Sequence, residues 1–213
     1  VAAQSDNSTA KNSENLLNHT GEGIVVDIGT GDGRFVSVLA RQNPRQFYIG
    51  IDANAKPLEK ISMKATRKPS KGGLPNVLFV QAAVENLPEE LNEIADEIHI
   101  HFPWGSLLRS VVLGDENILS SLRRISAPEG ILEIVIGLDE VRDKTEIERL
   151  NLPGLTEKYL QETLIPKFQS AGFNVLESGV LDSIQWSKIE TSWAKKLSGN
   201  EERKVRFLVF ESV

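Results

Sequence analysis

Cysteine is absent from this chain of 213 residues. That excludes disulfide scaffolds, thiolate-held zinc, iron–sulfur clusters and thiol catalysis. Only three histidines are present, which leaves little material for a histidine-rich centre, and no metal is expected. No apolar run reaches the roughly 18 residues of a membrane span. Residues 1–22 are polar and lack the apolar stretch of a secretory leader, so the expectation is a cytoplasmic protein with no membrane partner. Basic excess is missing too: the net charge is −6 and the sequence pI is about 5.2. Taken alone, that speaks against nucleic acid, because phosphate contacts need Lys and Arg; a local patch can still hide inside an acidic average.

What is present is an ordinary globular composition, 40% hydrophobic and 25% charged, in a length suited to one domain. Residues 1–22 form a polar N-terminal arm, and residues 23–213 form the domain. Within the domain, seven short apolar runs stand at 24–28, 47–51, 77–80, 98–102, 131–136, 173–180 and 205–210. Helical periodicity falls at 35–41, 56–68, 118–124, 157–171 and 184–197. Strands alternating with helices imply βαβ units. Near-continuous Val/Ile runs imply strands covered on both faces. The expected fold is therefore α/β and Rossmann-like: a seven-stranded, mostly parallel sheet with helices on both faces.

The sharpest local feature is Asp27-Ile28-Gly29-Thr30-Gly31-Asp32-Gly33, between the first strand and the first helix. A dinucleotide site spaces its glycines G-x-G-x-x-G and seats pyrophosphate on the helix N-terminus. Here the spacing is G-x-G-x-G, and Asp27 and Asp32 would repel a phosphate. They suit a cationic ligand with an ammonium group, which describes S-adenosylmethionine. Asp52 ends the second strand, where a carboxylate can accept ribose hydroxyls. Ala83 and Glu85, after the third strand, are placed for an adenine ring. A tight turn with surface acids would account for a lone G-x-G; the two acids in these positions favour the methyl donor.

The reaction edge of an open α/β sheet lies beyond the carboxyl ends of its central strands. The fourth strand ends His99-Ile100-His101-Phe102-Pro103-Trp104-Gly105. Phe102 offers no acceptor for an exocyclic amine, so the segment argues against amino methylation and for stacking on a ring. An aromatic plug capping the core is the other reading of these residues. Trp186 and Trp193 are seven apart on one expected helix, a spacing that suits core packing, although either could face the site.

Segment 56–71 carries six cations and one acid. Lys56, Lys60, Lys64 and Lys68 recur every four residues, as on one helix face. A second cluster comprises Lys188, Lys195, Lys196, Arg203, Lys204 and Arg206. If both flank one cleft they form a phosphate-binding rim; otherwise they are solvated faces.

At the glycine run and Asp52 the sequence resembles class I S-adenosylmethionine-dependent methyltransferases. More closely, it is similar to the aminoglycoside-resistance methyltransferases that modify N1 of adenine 1408 in the decoding site of 16S rRNA. The matching pieces are DIGTGDGR (27–34), IGID (49–52), KPSKGGLPNV (68–77), AVENLP (83–88), FPWGSLLR (102–109) and TSWAKKL (191–197). The resemblance implies that Asp27, Gly29, Gly31, Asp52, Ala83, Glu85, Pro103 and Trp104 hold S-adenosylmethionine, with Thr191 as a further contact. It implies that Trp104 and Trp193 enclose a flipped adenine as the catalytic pair. It implies that Lys64, Arg67, Lys68, Lys71, Arg149, Lys195, Lys196 and Arg203 grip rRNA of the 30S subunit. The product would be S-adenosylhomocysteine, and a monomer would suffice. The sequence departs from the family in two places. Residues 1–22 lack the alternation of the family's N-terminal β-hairpin, and Glu201 and Glu202 fall where the family is more basic. A guanine-N7 enzyme of rRNA or tRNA, a small-molecule methyltransferase and a cofactor-binding module without turnover are the competing readings.

Overall fold

The computed structural model describes residues 21–197 and 203–213; all but the last two residues of the expected N-terminal arm lie outside them. Seven strands form one sheet in the order β3-β2-β1-β4-β5-β7-β6. They are β1 Ile24–Ile28, β2 Phe47–Asp52, β3 Val77–Gln81, β4 Ala95–His101, β5 Ser126–Ile136, β6 Phe173–Leu181 and β7 Val205–Ser212. β7 alone runs against the others, inserted between β5 and β6. The seven expected strands are all there; β5 starts five residues earlier than expected, and β4 starts three earlier and stops before Phe102.

Alternation along each strand explains the layering. Val25 joins Phe35 and Val36 of α1 (Arg34–Gln42) and Ala65 of α2 (Ala55–Ala65) on one face. Its neighbour Val26 joins the opposite face, with Leu108 of α3 (Gly105–Leu113), Leu119 of α4 (Glu116–Ile125) and Phe168. Period-two alternation thus sends successive residues into two separate cores. Helices cover both faces, as expected. Among the described residues no helix is long and apolar enough to cross a membrane.

The helices hold the corrections. Sequence periodicity misses α3, whose start is hidden by Pro103 and Gly105, and the short α5 (Lys144–Leu150). The helical run expected at 157–171 is one continuous element, α6, with a π-type stretch at Leu160–Leu164 between Glu157–Tyr159 and Ile165–Ser170. The helix expected at 184–197 is two: α7 (Ser183–Ser187) and α8 (Ser192–Leu197). A capping box starts α7, with Asp182 and Gln185 bonding reciprocally. The Thr191 hydroxyl caps α8 by accepting from the Ala194 N–H at 3.0 Å. The break between them overturns the shared helical face of Trp186 and Trp193. Trp186 is buried against Phe102, and Trp193 is exposed. Likewise α2 ends at Ala65 with Thr66 as its C-cap, so Lys68 is not on the helix face of Lys56, Lys60 and Lys64.

The strand order reverses between β1 and β4, since β1 connects outward to β2 while β4 leads to β5. The crevice at their carboxyl ends is where such sheets bind ligands, and the cavity-lining residues below converge there.

Candidate functional site

Three glycines shape the loop after β1. Gly29, Gly31 and Gly33 all have left-handed backbone, at φ 76°, 56° and 66°. At Gly33 a Cβ would also meet the Phe79 ring at 2.5 Å, so any other residue is excluded twice. The loop is tied to β2: the N–H groups of Gly29 and Thr30 both donate to Ile51 O. Gly31 N–H donates to Asp52 Oδ2 at 2.8 Å, and Asn54 N–H donates to Asp52 Oδ1 at 2.8 Å. Asp52 is thereby held rigidly at the strand end with lone pairs to spare.

A cavity of about 430 Å³ opens over this loop. Asp27, Gly29, Gly31, Asp52, Ala83, Glu85, Pro103, Trp104 and Thr191, nine residues from five separate stretches of sequence, all line it. Trp193 and Lys196 line it too. Leu107 and Ile118, on α3 and α4, supply apolar wall; no sequence signal singled them out, because α3 was not visible and Ile118 reads as ordinary core.

The Phe-Pro-Trp edge divides into two roles. Phe102 has φ +48°, a conformation that costs a bulky residue on the order of 1–3 kcal/mol. Its N–H donates to Val135 O at 2.7 Å, and its ring goes into a small core with Trp186, Ala194 and Val205. That twist turns the chain so that Trp104, two residues on, stands out at the cavity rim. Trp104 and Trp193 are each 42% exposed. Their rings stack, with centroids 5.6 Å apart and planes 20° apart. Lys196 Nζ lies 5.2 Å from the centroid of the Trp193 ring. Phe102 is the core plug, and Trp104, two residues on, presents its ring at the cavity rim.

From Asp27 at the cavity floor runs a charged row whose other members, His99, His101 and Glu133, sequence reading left unused. Asp27, His99 and Glu133 are register partners across β1, β4 and β5, so their side chains share one face. His101 Nε2 lies 2.6 Å from Glu133 Oε1, His99 Nδ1 lies 3.3 Å from the same oxygen, and His99 Nε2 lies 3.2 Å from Glu97. Phe35 covers both imidazoles edge-on. Burial alone would push the His99 imidazolium down, but its bonds to Glu133 and Glu97 overcome that and raise its pKa to about 9. Hydrogen bonds from His101 and His99 hold the Glu133 carboxyl far below its ordinary value. Burial pushes Asp27 up, opposed by the nearby His101 and His99 rings. Among the described residues, the donor atoms of His99, His101 and Glu133 lie within 4.8 Å of one another, as a metal site would need. The cluster already neutralises itself through these bonds, so a cation would have to displace a bound proton. The signal for this row was the H-x-H alternation on a buried strand.

The basic residues do not form one rim. Lys196 lines the cavity, and Lys195 is exposed beside it, 3.4 Å from Glu190. Lys64, Arg67, Lys68 and Lys71 are exposed in the last turn of α2 and in the segment that follows it, and none of them lines the cavity. Arg149 is exposed and makes a two-pronged contact with Glu146, at 2.7 and 2.8 Å. Arg203 corrects the expectation of an RNA contact. Its side chain is 6% exposed and bonds Asp143 at 2.6 Å and the Gly137 carbonyl. It is a buried structural ion pair, and the arginine's sequence position next to Lys204 and Arg206 could not reveal that.

The family model and the best-covered relatives point to one family, while weaker matches over shorter stretches include tRNA (guanine-N(7)-)-methyltransferases. The family model described as 16S rRNA (adenine(1408)-N(1))-methyltransferase matches residues 4–211. A protein of that name from Escherichia coli is 40% identical over 181 residues, which cover 84% of this chain and 83% of that protein. The crystal structure of the aminoglycoside resistance methyltransferase NpmB1 superposes with a TM-score of 0.82 at 50% identity, covering 94% of this chain and 93% of that one. A mutant 16S rRNA (adenine(1408)-N(1))-methyltransferase from Catenulisporales acidiphilia, solved with its cosubstrate SAM, gives a TM-score of 0.81 at 32% identity over 99% of this chain and 91% of that one.

Proposed function

This chain belongs to the 16S rRNA (adenine(1408)-N(1))-methyltransferase family, and from that premise we propose how its cavity does the work. The protein transfers the methyl group of S-adenosylmethionine to N1 of adenine 1408 in 16S rRNA, and so confers aminoglycoside resistance.

The donor set fits the cofactor. Asp52 is oriented for the ribose hydroxyls. Ala83 and Glu85 border the slot for the adenine ring, closed by the apolar Leu107 and Ile118. The acidic floor at Asp27 suits the ammonium group of the cofactor's amino-acid end, and the left-handed turn of Gly29 and Gly31 lets backbone approach it closely. When bound, S-adenosylmethionine supplies a sulfonium methyl carbon open to direct attack by a ring nitrogen's lone pair. No side chain then needs to remove a proton.

The chain's own contribution is positioning. The observation that carries this reading is the stacked, half-exposed pair of Trp104 and Trp193 at the mouth of the cavity. Two indoles can hold one extruded purine between them, each stack contributing about 1–3 kcal/mol. N1 methylation puts positive charge on the base, and the indole faces stabilise it by cation–π attraction. Lys195, Lys196 and the group Lys64, Arg67, Lys68 and Lys71 hold the phosphate backbone of rRNA in the 30S subunit. A single chain completes the clamp, so a monomer suffices.

The test is incubation of 30S subunits with the protein and labelled cofactor, followed by primer extension. An N1 methyl blocks Watson–Crick pairing and gives a stop at adenine 1408. Incorporation without that stop, or with a stop elsewhere, overturns the assignment.

A further inference from the structure

Two contacts cross from the cofactor loop to the segment that carries Trp193. The Ser192 hydroxyl donates to Asp32 Oδ2 at 2.6 Å, and Arg34 donates to Glu190 Oε2 at 3.4 Å. Asp32 and Arg34 flank Gly33 at the start of α1, while Glu190 and Ser192 flank Thr191, the cap of α8. On the cofactor side the same loop is fastened by Gly31 N–H to Asp52. A short path therefore runs from Asp52 through Gly31 and Asp32 across to Ser192 and its neighbour Trp193.

The stack as it stands is closed. A purine between two rings needs roughly 7 Å between their planes, two carbon contact distances, and the Trp centroids are 5.6 Å apart. One plate has to move. Trp104 follows Pro103 and Phe102, both buried, and is the N-cap of the nine-residue α3. Trp193 stands on the six-residue α8, anchored by buried Ala194 and by the two polar crossings. The movable plate is Trp193, and what holds it leads straight to the cofactor loop.

We infer that Asp32 and Ser192 are positioning residues for Trp193: their hydrogen bond, seconded by Arg34–Glu190, ties the clamp to the cofactor loop, so that a filled cavity fixes the indole where it must stack on adenine. This rests on the clamp role given to Trp104 and Trp193 above. Cofactor then tightens RNA binding, and RNA tightens cofactor binding by the same factor.

The experiment uses the full chain, with S-adenosylhomocysteine titrated in the absence and presence of 30S subunits. For the unaltered protein the two affinities differ by about fivefold or more. Ser192→Ala abolishes that difference, and its affinity without 30S falls by less than about tenfold. Ser192→Thr keeps the hydroxyl and restores the difference. Glu190→Gln, which weakens the second crossing, reduces it and serves where Ser192→Ala folds poorly. A Ser192→Ala protein with undiminished coupling overturns the inference. So does a loss of more than about tenfold in affinity without 30S, because both residues line the cavity and that result would make Ser192 a direct cofactor contact. An unaltered protein that methylates adenine 1408 but shows no coupling overturns it as well and leaves the function standing. One that does not methylate adenine 1408 removes the function and this inference together.

Discussion

The Trp104 and Trp193 rings lie on each other with their planes 20° apart, and in the proposed function the substrate base takes the space between them. Separating two stacked aromatics costs about 0.5–1.5 kcal/mol. Inserting a purine creates two new stacks in place of one, at about 1–3 kcal/mol each. The exchange favours the base, so the closed pair screens the site until a base is presented.

Trp193→Ala removes one plate and leaves the cavity floor intact. Losing one stack of that size lowers kcat/KM on 30S by roughly 10- to 100-fold. Calorimetric titration with cofactor alone should give an affinity within about threefold of the unaltered protein's. Strong loss of cofactor binding would move Trp193 from the substrate's side of the site to the cofactor's.

Asp52→Ala acts on the other partner. Both carboxylate oxygens brace backbone N–H groups, one of them in the glycine loop, and the ribose hydroxyls are expected on the same group. Removing a charged acceptor from such a place costs about 1.5–3 kcal/mol, so cofactor affinity should fall on the order of 10- to 100-fold by calorimetry. An affinity unchanged by this substitution would detach the ribose from β2.

The sheet, the glycine loop and Asp52 were legible because strand alternation, loop spacing and position after a strand are all local in sequence. Trp104 was legible as a site residue because it follows the end of β4, the edge where such sheets bind ligands. What stayed hidden depends on pairing across the fold. Arg203 reads as one more cation near the C-terminus until Asp143, sixty positions earlier, is seen beside it. The Asp32–Ser192 bond spans 160 positions, and the His99–Glu133 contact needs the β4–β5 register. The α7–α8 break was missed because Ile184, Trp186, Ile189 and Trp193 keep a helix-like spacing across Thr191, whose capping hydroxyl restarts the helix.

The charged row under the cavity sets a pH dependence of stability. His99 is raised from its ordinary 6.5 to about 9. A raised basic group stabilises the fold fully below its unfolded value and ceases to as pH rises through the folded one. The denaturation free energy should therefore decline between pH 6.5 and 9, by roughly 3 kcal/mol. Urea titrations across that range check it. His99→Gln should flatten the profile, and an equally steep decline in that variant would assign the effect to another group.

Lys64, Arg67 and Lys68 stand exposed, with cofactor chemistry some distance away. Changing all three to Glu should weaken 30S binding and reduce the slope of log affinity against log salt by about one per lost phosphate contact. Cofactor titration should be unaffected. An unchanged salt slope would take this end of α2 out of the interface.

Arg203 separates charge that binds from charge that holds the fold. Its guanidinium is buried on Asp143 and the Gly137 carbonyl, where β5 gives way to the segment that leads into α5. Replacing it with Ala strands the Asp143 carboxylate without its partner, and breaking a buried pair in this way costs about 3–5 kcal/mol. Replacing Arg203 and Asp143 together, with Met and Leu, removes both charges and should recover most of that loss. A phosphate contact predicts the opposite ordering: the double change would be no better than the single one, and the salt slope of 30S binding would drop in both. Equilibrium unfolding of the two variants, set beside their salt titrations, decides between an arginine that faces rRNA and one that locks the end of β5 to α5.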